Sequence, residues 1–387
     1  MDKSSKKSKR RDRNEKAIIR GRDEKTSVAE KPAKSNYFGA LTGVRAIAAY
    51  MVFLLHYNPF SPTVIGKPLY DFTRELHIGV TIFFVLSGFL IAYHYSDLKE
   101  FRFKKYLVNR IARIYPVYFI LTTFTFLVFI QNNAISGTLI NVYLLNITFL
   151  RGFFDDFKFT GIAPGWSLTI EETFYFSAPL FFLLLNRSRY YFIILPLLLV
   201  SLGVGLVVVF SQVDFYGFFK TYEFMFRYTF LGRCSEFFIG IGLAFFFKQK
   251  AWQPKFNYFT YAGILGIIIC MYFISLYKGN FDYGIRHPVG KVLNTLVLPI
   301  FGIVPFFYGL LTEKTWISSL LGSKLFVFLG KSSYVFYLIH MSVISVFLHQ
   351  YSPSILLLFL ELNLVAMLIF KFIEEPLNLF IRKKLAP

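Results

Sequence analysis

The sequence predicts an all-α integral membrane protein with about ten transmembrane helices and both termini in the cytoplasm. Of its 387 residues, 55% are hydrophobic, including 50 Phe and 25 Tyr, and the mean hydropathy is +0.53. Charged residues make up 17% and fall in short clusters, whereas a water-soluble domain carries roughly a quarter. Apolar runs long enough to cross a bilayer recur from end to end.

Taken in order, the runs lie at about 41–57, 77–95, 114–130, 166–185, 190–210, 228–247, 258–277, 292–311, 330–349 and 354–373. Leu139 to Leu150 is apolar but short, and reads as an interfacial or re-entrant segment. No repeat is visible in the sequence. Two parts are expected: a disordered, basic cytoplasmic tail over residues 1–36 and a ten-span membrane domain over residues 37–387. The tail lacks the apolar core of a cleavable signal peptide and is expected to be retained.

The formal net charge of +20 would suggest nucleic acid in a soluble protein, but its distribution excludes that partner. Residues 1–35 hold 13 Lys and Arg against 6 Asp and Glu, with no aromatic residue before Tyr37. This suits the anionic headgroups of membrane lipids. Most of the remaining excess lies beside spans, the pattern of loops kept on the cytoplasmic side. Those loops hold Lys99, Arg102, Lys104, Lys105, Arg110 and Arg113, then Arg187 and Arg189, then Lys248, Lys250 and Lys255, and finally Arg382, Lys383 and Lys384. Loops on the other side are near balance, except for Lys278, Arg286 and Lys291. The expected location is the cytoplasmic (inner) cell membrane. Cys234 and Cys270 sit in apolar runs and read as small packed hydrophobes rather than a disulfide or zinc site. No metal motif or Gly-rich phosphate loop occurs, so no metal is expected.

Charged groups inside spans are costly and mark candidate sites. In "LTGVRAIAAYMVFLLHY", Arg45 and His56 have ten residues between them. At ~100° per residue they share one helix face, about 16 Å apart along the axis. Ala49 and Val52 lie between them and Ala48 flanks the strip, so a groove is expected there. Arg45 falls near the cytoplasmic end and His56 near the outer end. The plainer reading makes them two interfacial residues, one at each headgroup layer.

In "GWSLTIEETFYFSAPL", Glu171 and Glu172 reach a depth comparable with His56, and a carboxylate can orient an imidazole. Adjacent helix positions point ~100° apart, so one glutamate faces the seam, and Glu171 is the choice. A glutamate pair in an outer vestibule is the other reading. In "NRIARIYPVY", Arg110 and Arg113 form a possible clamp for a phosphorylated ligand, or else ordinary topology anchors. Arg233 and Glu236 read as a structural ion pair within the membrane. His340 falls near the middle of the ninth span. His77 and His287 lie at outer edges and read as solvated or interfacial, and Ser87 with Gly88 as close helix packing.

Six segments, in order, resemble the membrane-bound acyltransferase family 3: the Arg45–His56 run, "GVTIFFVLSGFLI", "RIARIYPVY", "WSLTIEETFY", "SSYVFYLIH" and "FIEEPLNLFIRK". The resemblance runs from about Tyr37 to the C-terminus. It implies transfer of an acyl group, usually acetyl, from cytoplasmic acetyl-CoA or another acyl-CoA to a hydroxyl beyond the membrane. The acceptor would be a cell-surface glycan or a lipid-linked sugar. The family's basic-residue and histidine motif falls on Arg45 and His56, its arginine motif on Arg110 and Arg113, and its glutamate motif on Glu171 and Glu172. On this reading Arg45, Arg110 and Arg113 hold the CoA phosphates. His56 is then the general base, oriented by Glu171, with a covalent acyl-histidine as the second chemistry. Many members have Asp where this chain has Thr81. No hydrolase-like domain follows the tenth span, so a separate extracytoplasmic transferase is an expected partner. The rival from another class is an exporter of a surface glycan or glycolipid, which buried Arg, His and Glu would also suit.

Overall fold

The computed structural model describes residues 38–97, 101–132, 137–249 and 257–385. The expected tail over residues 1–36, together with Lys99, Lys250 and Lys255, lies outside them. The described residues form helices and no strand. Among the described residues, nine helices are long and apolar enough to cross a membrane, or ten if one bent pair counts as a single span. In chain order the main helices are α1 (Gly39–His56), α2 (Ile78–Tyr95), α3 (Phe103–Asn132), α4 (Trp166–Arg187), α5 (Tyr191–Phe210), α6 (Phe230–Lys248) and α7 (Phe259–Leu276). They continue with α8 (Pro288–Thr312), the bent pair α9 (Lys324–Ile339) and α10 (Val343–Tyr351), and α11 (Ile355–Leu385). The expected spans are all present, and the short apolar segment becomes an 11-residue helix, Gly137–Ile147.

Burial separates the central helices from the peripheral ones. The α2 helix buries residues on all sides, from Ile78 to Ala92. It crosses α6 at two glycines: a Cβ on Gly88 would overlap the Phe237 carbonyl, and one on Gly240 would overlap the Val85 carbonyl. Backbones thus meet directly, the packing by small residues that membrane helices favour. By contrast α5 is apolar all round, burying only Leu195, Gly203 and Val207. Its exposed Ile193, Leu197 and Val208 form the surface expected against lipid.

The ninth span differs from expectation. A 91° bend separates α9 from α10, and His340 sits at the corner. The cause is local. Ser342 Oγ accepts the Ile344 N–H at 3.2 Å, and Ser345 Oγ accepts the Ser342 N–H at 3.1 Å. This capping box starts a new helix where hydropathy reads continuity. Two further helices carry wide π turns, Leu293–Val297 and Pro299–Ile303 in α8 and Phe370–Glu374 in α11. Each of the two helices aims a buried polar side chain inward, Asn294 and Glu374 respectively.

The three cations that broke the charge pattern are accounted for by neighbouring carboxylates. Lys278 Nζ lies 2.7 Å from Asp71, and Arg286 lies 3.3 Å from Glu223 and 3.7 Å from Asp282. Lys291 is within electrostatic reach of Glu223. Cys234 and Cys270 are free and buried.

Candidate active site

The two ends of α1 open onto different cavities. A cavity of about 370 Å³ lies at the His56 end, walled by Val52, Leu55, His56, His77, Val80, Trp166, Arg227, Tyr228, Arg233, Tyr283, Tyr337 and Met341 among others. A narrow cleft of about 30 Å³ lies at the Arg45 end, walled by Arg45, Val80, Phe83, Phe84, Ser167, Leu168, Glu171, Tyr334 and Tyr337. Val80 and Tyr337 belong to both walls. Tyr337 is held in place by the Ser167 hydroxyl at 2.9 Å and the Pro164 carbonyl at 3.3 Å.

The expected groove along α1 is only half present. Ala48 and Ala49 are fully buried, and a Cβ on Gly79 would overlap the Ala48 carbonyl. The small residues there serve helix contact, and only Val52 of the strip opens onto the larger cavity. Val80 and Tyr337 stand in the walls of both cavities instead.

His56 ends α1 just ahead of Pro59, which cannot continue a helix. It lines the larger cavity, and its Nδ1 lies 3.2 Å from His340 Nε2. The bend after Ile339 is what brings His340 to this point. The expected pairing of His56 with Glu171 is not found. Glu171 Oε1 accepts from Ser87 Oγ at 2.9 Å, and Oε2 accepts from the Tyr175 hydroxyl at 3.3 Å. Depth in the membrane follows from counting residues, whereas lateral position follows from packing, which turns Glu171 toward Arg45. Ser87 therefore does more than permit close packing.

At the other end the structure gathers Arg45, Arg110 and Arg113. Arg45 lies over the Phe83 ring at 5.8 Å, and Arg110 lies over Tyr95 at 5.6 Å and Tyr175 at 6.0 Å. Arg113 is within electrostatic reach of Arg45, Arg110 and Glu374. Arg45 and Arg113 likewise act on Glu171, and Arg110 on Glu172. Yet none of the three arginines forms an ion pair with a carboxylate among the described residues. The Nε atoms of Arg45 and Arg110 and Oε2 of Glu374 are buried without a hydrogen-bond partner. Guanidiniums without an ion-pair partner, close to carboxylates, suit an incoming phosphate, which Arg binds in bidentate fashion.

Arg233 and Glu236 form the expected buried pair, with contacts of 2.6 and 2.7 Å. Thr81 Oγ1 accepts from Arg233 Nη2 at 3.1 Å and from Asn294 Nδ2 at 3.0 Å. A carboxylate is thus present where this chain has Thr81, supplied from the neighbouring helix by Glu236. Arg227 carries its own partner, Glu223, at 2.5 Å.

Several site residues escaped the sequence reading. His77 lines the larger cavity, with Nδ1 3.4 Å from the fully buried Glu75. Glu374 joins the arginine cluster, and its signal was a glutamate pair at the end of an apolar run. Trp166 and Tyr228, whose rings meet edge-on at 4.9 Å, wall the larger cavity but carry no charge pattern to betray them. Among the described residues, no three His, Cys, Asp or Glu side chains cluster to hold a metal.

Fold and site together define a multi-pass membrane protein with an arginine cluster and a histidine pair at opposite ends of one helix. The chain belongs to the acyltransferase family whose model, described as an acyltransferase domain, matches residues 38–373. It is 27% identical over 391 residues to a provisionally named O-acetyltransferase of Staphylococcus aureus (strain COL), covering 91% of this chain and 59% of that protein. It therefore spans about three fifths of the length of that curated relative. It is 29% identical over 166 residues to the acyltransferase MdmB of Streptomyces mycarofaciens, with 38% and 40% of the two chains covered. It is also 29% identical over 194 residues to the provisionally named peptidoglycan O-acetyltransferase YrhL of Bacillus subtilis (strain 168), with 44% and 28% covered. No solved structure matches the chain.

Proposed function

We propose that the protein transfers an acetyl group from acetyl-CoA to a hydroxyl of a cell-envelope glycan or lipid-linked sugar. The observation that carries this reading is the pair of cavities along α1, one beside unpaired arginines and one beside His56, sharing Val80 and Tyr337. With the N-terminus in the cytoplasm, the arginine end faces the CoA pool. Arg45, Arg110 and Arg113 hold the CoA phosphates there, and Glu374 and Glu172 offset part of the repulsion among the guanidiniums. The pantetheine arm passes Glu171 and the Val80–Tyr337 neck, bringing the thioester to the larger cavity.

In that cavity His56 takes the proton of the acceptor hydroxyl as its oxygen bonds to the thioester carbonyl carbon. The C–S bond breaks, and the imidazolium returns the proton to the sulfur, so the products are an ester and CoA thiol. Trp166, Tyr228 and Tyr283 supply aromatic surface in the cavity wall against which a sugar can pack. The names of the relatives, O-acetyltransferase and peptidoglycan O-acetyltransferase, support a glycan acceptor.

The test is purified protein in liposomes supplied with acetyl-CoA and a muropeptide or lipid-linked saccharide. Acceptor-dependent release of free thiol supports the reading. Movement of the saccharide across the bilayer with no thiol released would favour an exporter and overturn it.

A further inference from the structure

We propose that His340 is a positioning residue that locks His56 into the tautomer protonated on Nδ1, leaving Nε2 as the free base. The inference deepens the proposed acyl transfer and rests on that reading for its catalytic consequence. It starts from a carbonyl. His340 Nδ1 lies 2.7 Å from the Tyr337 carbonyl oxygen, and a carbonyl can only accept a hydrogen bond. The proton is therefore on His340 Nδ1. In the neutral ring Nε2 then carries a lone pair, and it faces His56 Nδ1 at 3.2 Å. Only one arrangement satisfies that contact: His56 Nδ1 donates and His340 Nε2 accepts.

The remaining states are disfavoured on physical grounds. A His340 protonated on Nε2 alone would set its Nδ1 lone pair against the carbonyl lone pairs. A doubly protonated His340 would be a cation with a relative exposure of 0% and no carboxylate in contact among the described residues. The backbone thus fixes the first ring, and the first ring orients the second, on which the Val52 backbone also acts. The nitrogen left unprotonated, His56 Nε2, belongs to the ring that lines the larger cavity. When it takes a proton, the Nδ1–H bond to His340 becomes a charge-assisted one and stabilises the imidazolium. A carboxylate often holds this orienting position in catalytic sites. Here the capping box of Ser342 and Ser345 turns the chain so that an imidazole holds it.

The test compares the full chain with His340→Phe, which fills the space but accepts no hydrogen bond, and with His340→Gln, whose amide oxygen can accept from His56 Nδ1. Thiol release and acetyl-CoA binding are measured for each. Expected is a kcat fall of roughly 100-fold for His340→Phe with KM for acetyl-CoA nearly unchanged, and recovery to within about tenfold for His340→Gln. A kcat for His340→Phe within about threefold of native, or equal losses in both variants, would overturn the proposal. Nitrogen NMR of the native chain labelled with 15N-histidine needs no foldable variant. The His56 signals, identified by their loss in His56→Gln, should show Nδ1 protonated and Nε2 bare, and the opposite tautomer would overturn the proposal. Native protein that releases no thiol would instead refute the acyl-transfer reading, and the tautomer measurement stands apart from it.

Discussion

Val80 and Tyr337 face each other's cavities: each side chain lines both the space that His56 opens onto and the cleft that holds Arg45. In the proposed reaction, the arm that reaches from the arginines to the imidazole passes between them. Enlarging Val80 to Phe should close this neck while leaving the arginine cluster intact. The expected result is at least a roughly tenfold loss of kcat with KM for acetyl-CoA little changed, since added volume in a tight passage is poorly absorbed. Steady-state kinetics in liposomes would check it.

The arginines lead to a second prediction. Arg110 and Arg113 form no ion pair among the described residues, so their loss removes ligand contacts and breaks no salt bridge, although Glu172 and Glu374 lose a nearby positive charge. Charge-assisted hydrogen bonds contribute about 1.5–3 kcal/mol, so Arg110→Ala and Arg113→Ala should each weaken acetyl-CoA binding by roughly 10- to 100-fold. Calorimetric titration of each variant is the measurement, and unchanged affinity would reduce both residues to topology anchors.

The Arg233–Glu236 pair should respond differently. Both side chains are buried, at 3% and 0% exposure, and removing one partner of such a pair costs about 3–5 kcal/mol. Glu236→Ala is therefore expected to lower the unfolding temperature in detergent markedly. Arg233 Nη2 already reaches Thr81 Oγ1 at 3.1 Å, so adding Thr81→Asp should restore much of the loss by returning a carboxylate to the same guanidinium.

At the α2–α6 crossing, Gly88→Ala would drive a methyl group into the Phe237 carbonyl. Backbone cannot yield as a flexible side chain can, so a destabilisation of about 1–3 kcal/mol is expected. Thermal unfolding followed by circular dichroism would read it.

These particulars show what could be seen in the sequence. Spans were legible because length and hydropathy are properties of contiguous residues, and all ten runs became helices. Arg45 and His56 were legible as two ends of one face because helical rotation is arithmetic. The break at His340 was not, since a serine capping box barely alters an apolar run. Nor was the partner of His56: Glu171 matches it in depth, but the packing of α4 turns that carboxylate to Ser87 and Tyr175. Contacts such as His56 with His340 join residues 284 positions apart, and no local pattern encodes them. Glu374 carried a signal in its glutamate pair, but its place beside Arg113 and Arg45 appears only when distant helices meet.

The decisive measurement is transfer of radiolabelled acetyl from acetyl-CoA to a saccharide acceptor by liposomes holding either the native chain or His56→Ala. Native protein should label the acceptor, and the variant should do so at least roughly 100-fold more slowly while still binding acetyl-CoA. Equal labelling by the two proteins would remove His56 from the chemistry, and with it the proposed division of labour between the two ends of α1.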